Sequence, residues 1–257
     1  MQNTLLDVTE LSKSFGGLVA LNGISFKINL GDIVSLIGPN GAGKTTLFNC
    51  LTGIYIPESG KIKFNNDYIG DSSARPCIIA QQGIIRTFQN IRLFQNMTAQ
   101  ENIMVGRHLG SHAGWMGSLV KGNVVDREEL MVRSESDDIL KFMGLSKISE
   151  EMASSLSYGH QRKLEIARAL AADPKLLLLD EPAAGMNPNE VKMLMGLISR
   201  IRDRGITILL IEHHMNIVMG ISDSIIVLDH GEKIAQGKPK EVQKNKKVID
   251  AYLGVKS

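Results

Sequence analysis

The sequence predicts an α/β fold: a core with a mainly parallel sheet, an antiparallel β region on its amino-terminal side, and an inserted α-helical subdomain. Three observations predict it. The apolar runs IVSLI (33–37), KLLLLD (175–180) and GITILLIE (205–212) are short and flanked by charges and turn residues, as buried strands are. From Lys175 onward such runs alternate with helical patterns, the rhythm of βαβ units. Between the strand-rich halves, the texture from Met97 to about Ala172 is helical.

Each element follows in order. In ISFKINL, Ile24, Phe26, Ile28 and Leu30 share one face, the period of a half-buried antiparallel strand. IVSLI leads through a glycine-rich turn into the helix-like KTTLFNCLTG, and GKIKFNN is the clearest strand of the next region. MTAQENIMVG opens with a capping box, Thr98 and Glu101. EELMVRSESDDILKFMGL and the segment after LSYGHQ (156–161) carry apolar residues at helical spacing. A helix begins at Pro188, where Asn187, Pro188 and Glu190 supply cap, first-turn proline and capping-box acid. SIIVLD is a further strand, DHGEKIAQG a hairpin, and short helices close the chain. The most loop-like insertion is 110–123, with the single tryptophan, Trp115. The domain expected is therefore one, 1–257, its core made of 1–96 and 173–257 and its helical subdomain of 97–172.

Composition narrows the function. Hydrophobic content of 43% with 22% charged residues is that of a globular protein, and a net charge of +2 gives no support to a nucleic-acid surface. Cys50 and Cys77 have no metal-ligand partner at short spacing and read as thiols of a reducing compartment. The amino terminus lacks the pattern of a signal peptide, and no window reaches the ~18 apolar residues of a spanning helix. A cytoplasmic protein is expected, with any membrane role coming through a partner.

GPNGAGKT, Gly38 to Thr45, fits the P-loop pattern between an apolar strand and a helix. Glycine at 38, 41 and 43 lets backbone N–H groups turn inward on phosphate oxygens. Pro39, Asn40, Ala42 and Thr46 complete the cradle, Lys44 reaches the β- and γ-phosphates, and the Thr45 hydroxyl suits Mg²⁺. Asp180 and Glu181 stand at the carboxyl end of KLLLLD, where α/β sheets place ligands. Asp180 suits the metal and Glu181 a water attacking the γ-phosphate, although an acidic pair after a strand also serves as a capping turn. LSYGHQ sets a serine and a glycine at a helix mouth, which suits a second anion.

P-loop, LSYGHQ, LLLLDEP and a histidine after the next strand, in this order and over essentially the whole chain, resemble the ATP-binding cassette (ABC) ATPases, a family of P-loop NTPases. The family signature LSGGQ reads here as LSYGH, with Tyr158 for the first glycine and His160 for the glutamine, followed by Gln161. The resemblance implies that Ser157 and Gly159 cap the γ-phosphate of ATP held by the P-loop of a facing cassette in a head-to-tail dimer. It further implies that Gln89 touches Mg²⁺ and links the site to the helical subdomain, and that His213 steadies the γ-phosphate and the attacking water. Phe15 would stack on adenine, the alternative being a core phenylalanine, and Asn187 would lie in the D-loop, where aspartate is common. His214 is expected to point elsewhere.

LSKSFGGLVALNGISF, IRTFQNIRLFQNMTAQENIMVG, DEPAAGMNP and GISDSIIVLDHGEKIAQG narrow the resemblance to the ATPase subunits of branched-chain amino-acid importers. Importers of urea or amides and lipid-extracting relatives share these motifs, since the motifs concern ATP. The resemblance implies ATP and Mg²⁺ as cofactors, a second cassette of the same or a paralogous kind, two permease subunits, a solute-binding protein acting indirectly, and a peripheral place on the cytoplasmic face of the membrane. The rival classes are an ABC ATPase acting on nucleic acid or ribosomes and a non-hydrolysing regulatory cassette, against which Glu181 and His213 argue. Substrate choice in such systems rests with the membrane and solute-binding subunits.

Overall fold

The computed structural model describes residues 4–71, 74–110 and 123–253. The chain runs through β1 (Thr4–Phe15), β2 (Leu18–Asn29), β3 (Ile33–Ile37), α1 (Lys44–Leu51), β4 (Ser59–Phe64), β5 (Asp67–Ile69), α2 (Pro76–Gln81) and β6 (Ile84–Arg86). Then come α3 (Ala99–Gly110), α4 (Asn123–Met143), α5 (Tyr158–Ala171), β7 (Leu176–Asp180), α6 (Pro188–Arg202), β8 (Thr207–Ile211) and α7 (Met215–Ile221). It closes with β9 (Ser224–Asp229), β10 (Glu232–Gly237), α8 (Pro239–Gln243) and α9 (Lys246–Leu253). The loop expected over 110–123, Trp115 included, lies at 111–122 outside the described residues. The chain forms two compact units, one of 1–86 with 175–257, the other of 87–174.

Among the described residues, the first unit holds two sheets. One is antiparallel, ordered β2-β1-β4-β5; the other is ordered β10-β9-β3-β8-β7-β6. In the second, β9 with β10 is antiparallel and the other four pairings are parallel. α1 lies in one apolar cluster with both sheets: Leu47, Phe48, Cys50 and Leu51 pack with Leu6, Ile24 and Ile28 on one side and Leu36, Leu178 and Leu228 on the other. The strand alternation sends Ile225 and Val227 to the opposite face, where they meet Val218, Val242 and Val248. Leu30, expected on the face of Ile24, Phe26 and Ile28, is 51% exposed. It falls past the end of β2, where Gly31 (φ 80°) turns the chain and donates its N–H to Thr207 Oγ1 at 2.9 Å.

The second unit is built on α3, α4 and α5, and the chain enters it before the helical pattern begins at Met97. Thr98 and Glu101 form the reciprocal cap: Glu101 N–H donates to Thr98 Oγ1 at 3.1 Å and Thr98 N–H to Glu101 Oε2 at 2.8 Å. α3 and α5 cross closely at Gly106, where a Cβ would stand 2.2 Å from the Arg168 carbonyl oxygen. Asn102 is fully buried and its amide joins the start of α3 to the segment before it. Its Oδ1 accepts Phe94 N–H at 2.9 Å, and its Nδ2 donates to the carbonyls of Phe94 and Thr98, both at 3.0 Å.

Two measurements follow. Asn102→Ala leaves the Phe94 N–H without its acceptor and empties a buried polar position, and is expected to lower the unfolding free energy by about 2 kcal/mol in urea titrations followed by circular dichroism. Cys50 is buried, which pushes its thiol up to about 11 against the opposing effect of Lys13, whereas Cys77 is exposed. A thiol reagent is therefore expected to modify one cysteine in the native chain and both after denaturation.

Candidate active site

In the first unit the carboxyl ends of β3, β7, β8 and β9 open on one cleft of ≈ 590 Å³. Its lining includes Phe15, Gly41, Lys44, Thr45, Glu181 and His213. Pro39 is set at the turn that opens the loop, and Asn40, Ala42, Gly43 and Thr46 also line the cleft. The loop from Gly38 to Gly43 depends on missing side chains. Gly38 has φ 153° and a Cβ there would meet the Leu228 carbonyl oxygen at 2.1 Å; Gly43 has φ 100° and would meet the Ala20 carbonyl oxygen at 2.5 Å. α1 begins at Lys44, and its first turn faces the loop. That is where unpaired N–H groups and the positive end of a helix favour an anion.

Lys44 is buried and its ammonium donates to the carbonyls of Gly38 at 2.7 Å and Pro39 at 2.8 Å. Burial lowers its pKa, and the charges of Glu181 and Asp180 oppose that shift. The lysine thus carries a costly charge held by loop carbonyls, next to a space that anionic oxygens fit. Phe15 is 42% exposed, so the reading as a core phenylalanine does not describe it. Its ring stands edge-on to Tyr55 with centroids 5.0 Å apart, and Lys13 Nζ lies 5.4 Å from its centroid.

The two acids of LLLLDEP separate. Asp180, on the last position of β7, is buried and its Oδ2 accepts from Arg86 at 2.6 Å. Arg86 also donates to Asn49 Oδ1 at 2.6 Å and stacks over Phe48 at 5.4 Å. Glu181 turns out of the strand with φ 46°, a left-handed conformation that costs a residue with a Cβ on the order of 1 kcal/mol or more. Its N–H donates to the Ile211 carbonyl at 3.0 Å, and its Oε1 lies 2.7 Å from His213 Nε2. With Glu181 ionised, Nε2 is the donor in that contact. The pair can accept a proton at the carboxylate while the imidazole fixes its direction. The next residue, His214, caps α7 by its backbone and is exposed. Among the described residues no group of three or more His, Cys, Asp or Glu is arranged to hold a metal ion.

The other sequence candidates lie in the helical unit. Ser157 is the cap of α5, its Oγ accepting His160 N–H at 3.4 Å, and Gly159 is in the first turn. Gln89 is exposed, and its carbonyl accepts from Arg162 at 2.7 Å. Arg162 is fully buried, also donates to the Phe88 carbonyl, Tyr158 Oη and Glu165 Oε2, and so ties the segment of Gln89 to the first turns of α5. Sequence reasoning missed Arg86, Arg162 and Glu212. Their only signal was adjacency to a motif: Arg86 opens RTFQN, Arg162 follows LSYGHQ, and Glu212 precedes His213. Arg86→Met, which strands Asp180 without its charged partner, is expected to cost roughly 3–5 kcal/mol of stability in chemical denaturation.

Comparison with known proteins agrees with this geometry. A family model described as ABC transporter matches residues 21–184, and one described as branched-chain amino acid ATP-binding cassette transporter matches residues 232–256. The chain is 44% identical over 255 residues to the high-affinity branched-chain amino acid transport ATP-binding protein BraF of Pseudomonas aeruginosa, covering 99% of both chains. It is 45% identical over 255 residues to LivG, a protein of the same description from Escherichia coli (strain K12), again over 99% of each. Among solved structures, the ADP conformation of an ATP-binding cassette of an ABC transporter superposes with a TM-score of 0.84 at 34% identity, covering 98% of this chain and 99% of that one. With a cleft built from the loop, Glu181 and His213 at one end of the sheet, and with these matches along its length, the chain belongs to the ABC transporter family as an ATP-binding cassette.

Proposed function

We propose that this chain is the ATP-hydrolysing subunit of an ABC importer that powers uptake of branched-chain or related hydrophobic amino acids through partner membrane permeases. The observation that carries the chemistry is the 2.7 Å contact of Glu181 with His213 at the mouth of the glycine loop. The substrate class is supported by the full-length relatives and by the match at residues 232–256.

In this reading adenine stacks on Phe15 and the phosphates lie on the N–H groups of residues 38–46. Lys44 exchanges the carbonyls of Gly38 and Pro39 for phosphate oxygens, which matches its charge with a stronger partner. The Thr45 hydroxyl and the Asp180 carboxylate are hard oxygen donors that would hold a metal ion beside the phosphates. A small set of this kind suits Mg²⁺, which keeps waters and substrate phosphates in its shell and neutralises phosphate charge when bound. Glu181 takes the proton of the water whose oxygen attacks the γ-phosphorus as the bond to the β-phosphate oxygen breaks. His213 holds the Glu181 carboxylate in line and donates toward the γ-phosphate.

Ser157 and Gly159 serve the nucleotide of a second cassette, the same or a paralogue, in a head-to-tail dimer. One ATPase domain spans the chain, with the first unit as nucleotide-binding core and the second as helical subdomain. Among the described residues no helix is long and apolar enough to cross a membrane. The chain is held at the cytoplasmic face by two permease subunits, and a solute-binding protein acts through them.

Glu181→Gln removes the proton acceptor and is expected to lower turnover at least ~10²-fold while nucleotide affinity stays within about twofold. Purified from solubilised membranes with ATP, that variant is expected to bring down two multi-spanning permeases and a second cassette. Wild-type turnover in the variant, or recovery of ribosomes or nucleic acid in place of permeases, would sink the corresponding half of the reading.

A further inference from the structure

Glu212 is the residue between β8 and His213, and it is 2% exposed. A carboxylate in that position needs donors for its lone pairs, and here they come from the backbone of two different loops. Oε1 accepts Ala183 N–H at 3.0 Å, from the turn that follows β7. Oε2 accepts His213 N–H at 3.0 Å and His214 N–H at 3.3 Å, from the loop that follows β8. The first loop carries Glu181 two residues before Ala183, and within it Ala184 N–H donates to the Glu181 carbonyl at 3.1 Å. The second carries His213. The 2.7 Å contact between Glu181 and His213 spans the same two loops, on side chains that are both partly open to solvent.

We infer that Glu212 is a positioning residue for ATP hydrolysis: its buried carboxylate clamps the turn of Glu181 to the loop of His213 and so fixes the distance and direction of the pair. The inference rests on the reading of Glu181 as proton acceptor. Two side chains partly open to solvent on separate loops lose rotamer freedom in holding one geometry, and that cost falls when the loops carrying them are themselves fixed. Three N–H groups converging on a single buried anion supply the rigidity. A glutamine of the same shape cannot replace it. Its amide nitrogen is a donor and would face at least one of those N–H groups, leaving it unpaired and pushing one loop away. Aspartate keeps the charge but is one methylene shorter and cannot reach both loops at full strength.

The test is steady-state ATP hydrolysis by the full chain, with thermal midpoint and nucleotide affinity measured alongside, for wild type, Glu212→Gln and Glu212→Asp. Misplacing a catalytic pair by a fraction of an ångström to an ångström predicts a kcat lower by about 10- to 100-fold for Glu212→Gln. KM for ATP should stay within about twofold, because the clamp does not touch the phosphate loop. Glu212→Asp should fall between that variant and wild type. Wild-type kcat in folded Glu212→Gln overturns the inference, as does a loss carried entirely by KM. Should Glu212→Gln not fold, Glu212→Asp decides: reduced kcat at unchanged KM supports the clamp, and wild-type kcat overturns it. A wild-type chain without ATP turnover removes the ATPase reading and this inference with it, whereas turnover in wild type and Glu212→Gln alike removes this inference alone.

Discussion

The parallel register of β3, β7, β8 and β9 is the constraint on which the site depends. Leu36 pairs with both Ile211 and Ile226, and Asp180 pairs with Ile211, so these strands end at a common edge. Parallel strands run the same way, so every loop leaving a carboxyl end must emerge on the same side. The glycine loop, the turn of Glu181 and the loop of His213 have no sequence proximity, yet the register delivers them to one cleft. Burial of the strands on both faces keeps them apolar, and polar chemistry starts where each strand stops.

That edge creates an electrostatic problem, because Asp180, Glu181 and Glu212 lie close together. The structure answers it by giving each acid a different kind of partner. Asp180 takes the guanidinium of Arg86, Glu181 the imidazole of His213, and Glu212 backbone N–H groups. The partners set what each group can do. A carboxylate that accepts three backbone N–H groups is held in one place. A carboxylate facing a partly exposed imidazole in a cleft can exchange a proton. The strained φ of Glu181 belongs to the same design: leaving the strand in the left-handed region points its side chain away from the direction the strand would give it.

The helical unit solves a different problem by the same means. Arg162 is a fully buried ion, with Glu165 as its counter-charge and the carbonyls of Phe88 and Gln89 as further acceptors. Glu165 in turn accepts the N–H groups of Phe88 and Arg92. Such a pair adds little net stability over apolar residues of the same size, but it admits one geometry. The segment of Gln89 and the open mouth of α5 at Ser157 therefore form one rigid piece. The signature takes part through Tyr158, whose Oη accepts from the same guanidinium at 3.0 Å.

The sequence by itself determined what is local. The strands IVSLI and LLLLD, the glycine loop, the caps at Thr98 and Asn187, and the hairpin at Asp229–Glu232 all follow from short-range sterics and hydrogen bonding, and the structure has each of them. Motif order then identified the family, since the spacing of loop, signature, acids and histidine is written in the chain. Leu30 marks where local reasoning ended. Its alternation is right, but the strand stops one residue earlier because the chain must turn at Gly31. Tertiary structure alone decided the partners of charge. That Arg86 belongs to Asp180, that Glu212 binds the turn of Ala183, and that Arg162 holds the backbone of Gln89 are matters of contacts between segments distant in sequence. No propensity or period encodes them, because a buried charge is fixed by whichever donors the packed chain brings to it.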